Sequence, residues 1–334
     1  MSRKRIICLG FAIALPCLFF CNLFYGSESI PARAVVDILF GREVEKSVWT
    51  NIVLKLRLPQ AVTALFAGAA LSVSGLMLQT LFRNPLAGPS ILGISSGANL
   101  GVAIVMLYSG SVLGLSVSGH FSVILAAFVG ALVVLLIILY FSIRIRSGEL
   151  VLIIGIIIGY LASSGISILN ATATSDNIRA YVLWGMGSFA DVHNLQLPFF
   201  VVSLLGGLLF SILLIKPLNA LLLGDNYAAN LGVNVQKTRI YILLVTGYLT
   251  AIVTAYCGPV TFIGLAVPHI ARMFIGTSNQ KILLPASIAA GSLVALLCNL
   301  LTVIPVGKGL LPLNAVTPII GAPVIVYVII KRMT

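Results

Sequence analysis

Apolar runs close to 20 residues long recur from one end of the 334-residue chain to the other, and no Asp, Glu, Lys or Arg falls at the centre of any of them. A helix rises 1.5 Å per residue, so about 20 residues cross the roughly 30 Å hydrocarbon core of a bilayer. In that core every backbone N–H and C=O must find a partner within the protein, which leaves helices or closed barrels. A barrel would read as short alternating segments, whereas these runs are continuous. The sequence therefore predicts an all-α, polytopic membrane protein: one transmembrane domain over 1–334, ten transmembrane helices, and short surface helices in its loops. Spans are expected at 1–25, 60–81, 90–108, 120–142, 150–171, 195–215, 239–257, 260–275, 282–304 and 315–331. Residues 1–25 read as an uncleaved first span, since no small-x-small cleavage site precedes Gly26.

Charge sets the orientation. Only 8% of residues are charged, and Lys and Arg outnumber Asp and Glu by 20 to 8. The cations stand at the ends of apolar runs, with no basic stripe carrying interleaved aromatics, which excludes nucleic acid as a partner. With both termini in the cytoplasm, thirteen of the twenty cations fall inside, and seven (Arg33, Arg42, Lys46, Lys55, Arg57, Arg179 and Lys308) fall outside. That bias favours this orientation. The five cysteines all sit in apolar runs without C-x-x-C spacing, so neither a disulfide framework nor a metal site is expected.

Three polar stretches interrupt the spans. Residues 26–57 form the longest, a periplasmic loop. Ser29 and Pro31 can start a short helix that Gly41 ends. Trp49, Ile52, Val53 and Leu56 then recur at helical spacing, as in an amphipathic helix along the membrane surface. Residues 170–194 form a second outward loop with a short helix near Ser175 to Gly185. The third, within 217–238, is cytoplasmic and has the signals of a folded knob. Asp225 can cap a helix from Asn226 to Leu231, Gly232 can end it left-handed, and Asn234 can cap the next helix, which carries Lys237 and Arg239.

Gly93, Gly97 and Gly101, and again Gly155 and Gly159, stand four apart, a close-packing pattern that serves an intramolecular or a subunit contact equally. Gly88 to Ile94 is echoed by Gly258 to Leu265, as an inverted repeat would be. The interior holds no ionisable relay of the kind that ion-coupled carriers use. His269 reads as a hydrogen-bonded helix-end histidine. Neither a P-loop nor a G-x-S-x-G or H-E-x-x-H motif occurs, so the chain is not expected to be an enzyme or to bind a cofactor. Uphill transport would need energy delivered by another subunit at the cytoplasmic face. The alternative is a secondary transporter or channel without an ATPase partner.

Several blocks occur together and in order: Arg57-Leu-Pro59; Leu78-Gln-Thr-Leu-Phe-Arg-Asn-Pro-Leu-Ala87; Leu92-Gly-Ile-Ser-Ser-Gly-Ala98; Leu183-Trp-Gly-Met-Gly-Ser-Phe189; Phe262-Ile-Gly-Leu-Ala-Val-Pro-His-Ile-Ala-Arg272; and Pro318-Ile-Ile-Gly-Ala-Pro323. Across nearly its whole length the chain resembles the permease subunit of bacterial ATP-binding-cassette importers for iron-siderophores, haem and cobalamin. The resemblance implies a ten-span subunit in membrane lipid, paired with a second copy or close paralogue. It also implies two cytoplasmic ATPase subunits that use ATP and Mg2+, and a soluble substrate-binding protein outside. It maps an ATPase-coupling loop onto Gly224, Asp225, Ala228, Ala229, Leu231 and Gly232. It maps a cytoplasmic gate onto Asn84, Pro85, Leu86, Ser147 and Gly148. Docking of the binding protein falls to Lys55, Arg57 and Lys308. Gln60 stands where the family frequently has an Arg, which implies different docking charges.

Overall fold

The apolar runs fold as helices. In the computed structural model, which describes residues 3–108, 120–145, 147–306 and 309–333, the chain order is as follows. Helix α1 (Arg3–Phe24) and the short α2 (Ala32–Leu39) come first. Then α3 (Ser47–Asn51) passes through a π-helical turn, Ile52–Arg57, into α4 (Leu58–Leu81). Next are α5 (Ile94–Tyr108), α6 (His120–Arg144), α7 (Gly148–Thr172), α8 (Ser175–Gly185), α9 (Leu197–Leu213), α10 (Ile215–Leu221) and α11 (Asp225–Asn230). Last come α12 (Val235–Cys257), α13 (Ile263–Ile275), α14 (Gln280–Thr302) and α15 (Leu313–Met333). Between α14 and α15, Pro305–Val306 pairs antiparallel with Gly309–Leu310. Lys308 lies outside the described residues.

Among the described residues, five helices are long and apolar enough to cross a bilayer: Ser47–Leu81, Phe121–Arg144, Gly148–Thr172, Val235–Cys257 and Gln280–Thr302. Helices α9 and α10, bent by 54° at Leu214, make a sixth if taken as one span. Four more apolar helices, Leu9–Phe24, Ile94–Tyr108, Ile263–Ile275 and Leu313–Val328, are shorter. Burial sorts them. The apolar windows of α4 and α12 are 83% and 78% buried, so these helices form the centre of the bundle, whereas that of α7 is only 22% buried. A helix apolar on all sides belongs inside a protein or in lipid, and this chain has both kinds.

The amphipathic segment expected on the membrane surface is continuous with α4: residues 47–81 form one 35-residue helix. Its widened turn, Ile52–Arg57, absorbs the change from the outer loop into the span. Helix α2 ends as expected, with Gly41 at φ 71° just past its end, but it starts later: Pro31, not Ser29, stands at its N-cap.

Helices α5 and α13 are short because the chain enters the bundle before it becomes helical. Residues 82–93 carry no helix, yet Gly155 of α7 lies so close to Ile91 and Leu92 that an added Cβ would stand 2.8 Å from Leu92 Cα. Gly155 is seven residues into α7, about 10 Å from its start at 1.5 Å per residue. Irregular backbone at that depth is tolerated only where protein surrounds it. The stretch before α13 does the same from the other end of the chain. Each entry has one non-glycine residue at positive φ, Arg83 at 46° and Phe262 at 64°. The two echoed segments meet: Gly88 faces Leu265, and Pro89 lies against Gly264.

Bare backbone makes these approaches possible. A Cβ on Gly75 of α4 would overlap the carbonyl oxygen of Gly264, and Gly97 of α5 and Gly130 of α6 face each other without room for a side chain. The spaced glycines of α5 thus pack within this chain. We predict that Gly75→Val drives α4 and α13 apart and lowers the melting temperature of the detergent-solubilised protein, overpacking costing about 1–3 kcal/mol or more. Gly206→Ala on α9, where nothing lies within 4 Å of the new methyl group, leaves it unchanged.

Candidate functional site: a helical knob and two loops

The knob is a single helical turn closed at both ends by backbone geometry. Gly224 stands at the N-cap with φ 109° and ψ 155°, a region essentially reserved for glycine. At the other end, the Gly232 N–H donates to Ala229 O at 2.9 Å, and the Val233 N–H to Ala228 O at 3.0 Å. With Gly232 at φ 82°, this is a Schellman closure. Asn234 caps α12, its Oδ1 accepting from the Lys237 N–H at 2.9 Å. Ala228 is buried, whereas Ala229, Leu231 and Gly232 face outward.

Asp225 does not cap the knob. Because Gly224 takes the cap position, the helix begins one residue earlier than expected and Asp225 lies in its first turn. A carboxylate there is favoured by the helix dipole. Its Oδ2 accepts from Arg239 Nη2 at 3.4 Å. Arg239 is 7% exposed, and its Nη1 donates to Ile145 O at 3.3 Å, at the end of α6.

The two loops expected to form the gate lie beside the knob. Ser147 caps α7, its Oγ accepting from the Leu150 N–H at 3.4 Å. A Cβ on Gly148 would sit 3.1 Å from the Phe82 ring, so this loop touches the start of the other. In that other loop, Asn84 Oδ1 accepts from the Leu86 N–H at 2.9 Å, an Asx turn. The carbonyl of Pro85 is 2.7 Å from His269 Nε2, and Arg272 Nη1 is 3.3 Å from His269 Nδ1. A guanidinium can only donate. Nδ1 is therefore the acceptor, and Nε2–H donates to Pro85. His269 is thus the hydrogen-bonded histidine expected, and it holds the loop carrying Asn84, Pro85 and Leu86 against α13.

A cavity of about 440 Å³ is lined by Phe82, Arg83, Ser147, Gly148, Asp225 and Arg239, among others. Residues assigned to coupling and to gating thus surround one space, although they are some 80 positions apart in sequence. A second hollow of about 460 Å³ is lined by Arg83 together with Gly224, Asn226, Tyr227 and Asn230 of the knob. Leu223, Tyr227 and Leu231, four residues apart, are 63%, 54% and 59% exposed. Sequence reasoning named only Leu231 of these three. It also missed Arg83 and the contacts of Arg239, because a helix-end arginine in sequence does not show what it touches.

On the outer side, one assignment needs correction. Arg57, expected to dock a binding protein, is 6% exposed. Its Nη1 donates to Leu23 O at 2.9 Å and Phe24 O at 3.0 Å, and its Nη2 donates to Glu28 O. The last carbonyls of a helix lack intrahelical donors, and Arg57 supplies them to α1. Lys55, two residues earlier, is exposed. Gln60 is also committed inward. Its Nε2 donates to Asn299 Oδ1 at 2.9 Å, and Asn299 Nδ2 donates to Asn22 Oδ1 at 2.8 Å, joining α4, α14 and α1 beside a cavity of about 360 Å³. We predict that Arg57→Met, which strands three carbonyls, destabilises the isolated subunit by about 3 kcal/mol. Thermal unfolding in detergent, with no partner present, measures this; Lys55→Met leaves the curve in place.

The model of the FecCD transport family matches residues 14–331. The vitamin B12 import system permease proteins BtuC of Salmonella typhi and Salmonella newport (strain SL254) are each 34% identical over 280 residues, covering 84% of this chain and 83% of theirs. A solved structure described as an inward-facing conformation of a metal-chelate type ABC transporter superposes with a TM-score of 0.85 at 28% identity, covering 98% of this chain and 99% of that one. PsaBC from Streptococcus pneumoniae, at a TM-score of 0.53 and 18% identity, shares the fold.

Proposed function

The chain belongs to the FecCD transport family, and from that premise we propose how it works as the permease subunit of an ATP-driven importer. Ten helices cross the membrane, the shorter ones completed by the irregular stretches at 82–93 and 258–262, and both termini lie in the cytoplasm. Two permease subunits, identical or closely related, enclose the path. Two ATPase subunits bind ATP and Mg2+ and press on the knob; a soluble binding protein delivers cargo outside. The cargo is a bulky metal chelate: a corrinoid such as the relatives' vitamin B12, or an iron-siderophore or haem. The cytoplasmic gate consists of Asn84, Pro85 and Leu86 with Ser147 and Gly148. Lys55 and Lys308 are the outward cations offered to the binding protein.

The observation that supports this reading best is the shared cavity in which Asp225 of the knob faces Ser147 and Gly148 of the gate. A knob closed by a Schellman motif and followed by a capped helix transmits force instead of absorbing it. Among the described residues, the middle of the long helices carries no Asp, Glu, Lys or Arg. Such a wall holds a large chelate weakly, as release requires.

Reconstitution in vesicles tests the reading. With the ATPase subunits and binding protein present, chelate uptake requires ATP; uptake by the permease alone, driven by a proton or sodium gradient, would show a secondary transporter instead. A finer expectation concerns Gly232. No atom lies within 4 Å of a Cβ there, so Gly232→Val meets only the backbone cost of positive φ, about 1–2 kcal/mol. The variant remains in the membrane with its ATPase, but hydrolysis no longer drives uptake. Full uptake would remove the knob from the mechanism.

A further inference from the structure

We propose that Arg239 is a positioning residue that ties the knob to the gate loop between α6 and α7, so that movement of one displaces the other. The proposal rests on the coupling role given to the knob above and adds the physical link. Arg239 lies in the second turn of α12 and is buried between two elements. One arm of its guanidinium donates to the Asp225 carboxylate at 3.4 Å, the other to the Ile145 carbonyl at 3.3 Å. Ile145 stands just before the gate: its N–H still donates to Phe141 O at 2.8 Å, so it closes α6, and Ser147 two residues later caps α7.

Charge favours this arrangement at both ends. The C-terminus of α6 presents carbonyls without intrahelical donors, where a cation is stabilised. Gln236, also at the start of α12, donates to Ile143 O at 3.5 Å, so α12 grips the end of α6 at two points. At the other end, Asp225 sits in the first turn of α11, where an anion is stabilised. A buried guanidinium separated from its carboxylate would be an uncompensated charge. When the knob shifts, Arg239 must therefore follow Asp225, and the planar fork carries the Ile145 carbonyl with it. Lysine, a single point charge, cannot hold both partners in fixed geometry.

The test reads motion of the gate directly. In vesicles holding the permease with its ATPase subunits, Ser147→Cys is labelled by a water-soluble maleimide with and without ATP. On the coupling reading, ATP changes the labelling rate about fivefold or more, the lower end of an allosteric coupling. We expect that response to vanish in Arg239→Met and in the near-isosteric Asp225→Asn, and to be weak in Arg239→Lys. We also expect Asp225→Asn combined with Arg239→Met to be no worse than either alone. Detergent melting curves show that the variants are folded, and Asp225→Asn, at a half-exposed site, keeps the question open to measurement if Arg239→Met unfolds. A full ATP response in Asp225→Asn, or losses that add in the double variant, would overturn the link while leaving the knob's role intact. Absence of any ATP response in the Ser147→Cys parent would overturn both.

Discussion

A membrane interior offers no water to a broken helix, and this constraint explains several of the buried polar side chains. At three places where the backbone leaves helical geometry, a side chain from another element meets the groups set free. Arg57 serves the end of α1, and His269 serves the loop at Pro85. Asn314 joins three segments: its Oδ1 accepts from the Thr261 N–H at 3.2 Å, and its Nδ2 donates to Gly185 O at 3.0 Å and Pro259 O at 2.6 Å. Gln79 donates to Leu265 O at 3.0 Å, at the head of α13. Each bond is worth about 1 kcal/mol in net stability, but an unmet buried carbonyl costs more. The bundle can therefore contain irregular chain at 82–93 and 258–262 only because these partners are in place.

The same constraint divides what the sequence reveals from what it hides. Length and apolarity reveal helices, because one residue predicts the next along a segment. Turn chemistry reveals the knob: Gly232 and Asn234 do what their residue types favour. Asp225 reads wrongly because Gly224 competes for the same position, and a conformation open only to glycine wins. Arg57 reads as an outward cation because it stands at a span end; the carbonyls that claim it are 33 and 34 positions away. The division of residues 47–81 into a surface helix and a span follows from Lys55 and Arg57, yet Arg57 is buried and the helix continues unbroken. Gly93, Gly97 and Gly101 announce close packing, but only the fold shows that α6 and α7 are what they pack against.

The function proposed depends on a contrast in stiffness. The knob has few residues, yet its ends are closed by backbone bonds and its inner face is seated by buried Ala228. Its outer face offers Leu223, Tyr227 and Leu231, an apolar ridge that a soluble subunit can grip. Burial of such side chains contributes about 1.5–3 kcal/mol each, enough to hold a partner through cycles of motion. The loops next to it have fewer constraints: one is anchored by an Asx turn and one carbonyl, the other by a serine cap of 3.4 Å and the bond from Arg239 to Ile145 O. A stiff handle beside compliant loops converts pushing at the surface into displacement at the path.

The two loops are not held alike, and the difference orders their movement. The loop at Ser147 is joined to the knob through Arg239, by one ion pair to Asp225 and one hydrogen bond to the Ile145 carbonyl. The loop at Pro85 is joined to α13 through a neutral imidazole, whose tautomer is fixed by Arg272. Its own tie to the knob is the side chain of Arg83, which lies against Gly224, a Cβ there standing 3.3 Å from Arg83 Nη1. The Phe82–Gly148 contact connects the loops to each other. Displacement of the knob therefore reaches Ser147 and Gly148 first, through a bonded path. It reaches Pro85 by packing alone, against a hydrogen bond that holds the loop on α13. In the importer proposed above, the first loop follows the ATPase, and the second resists until the first has moved.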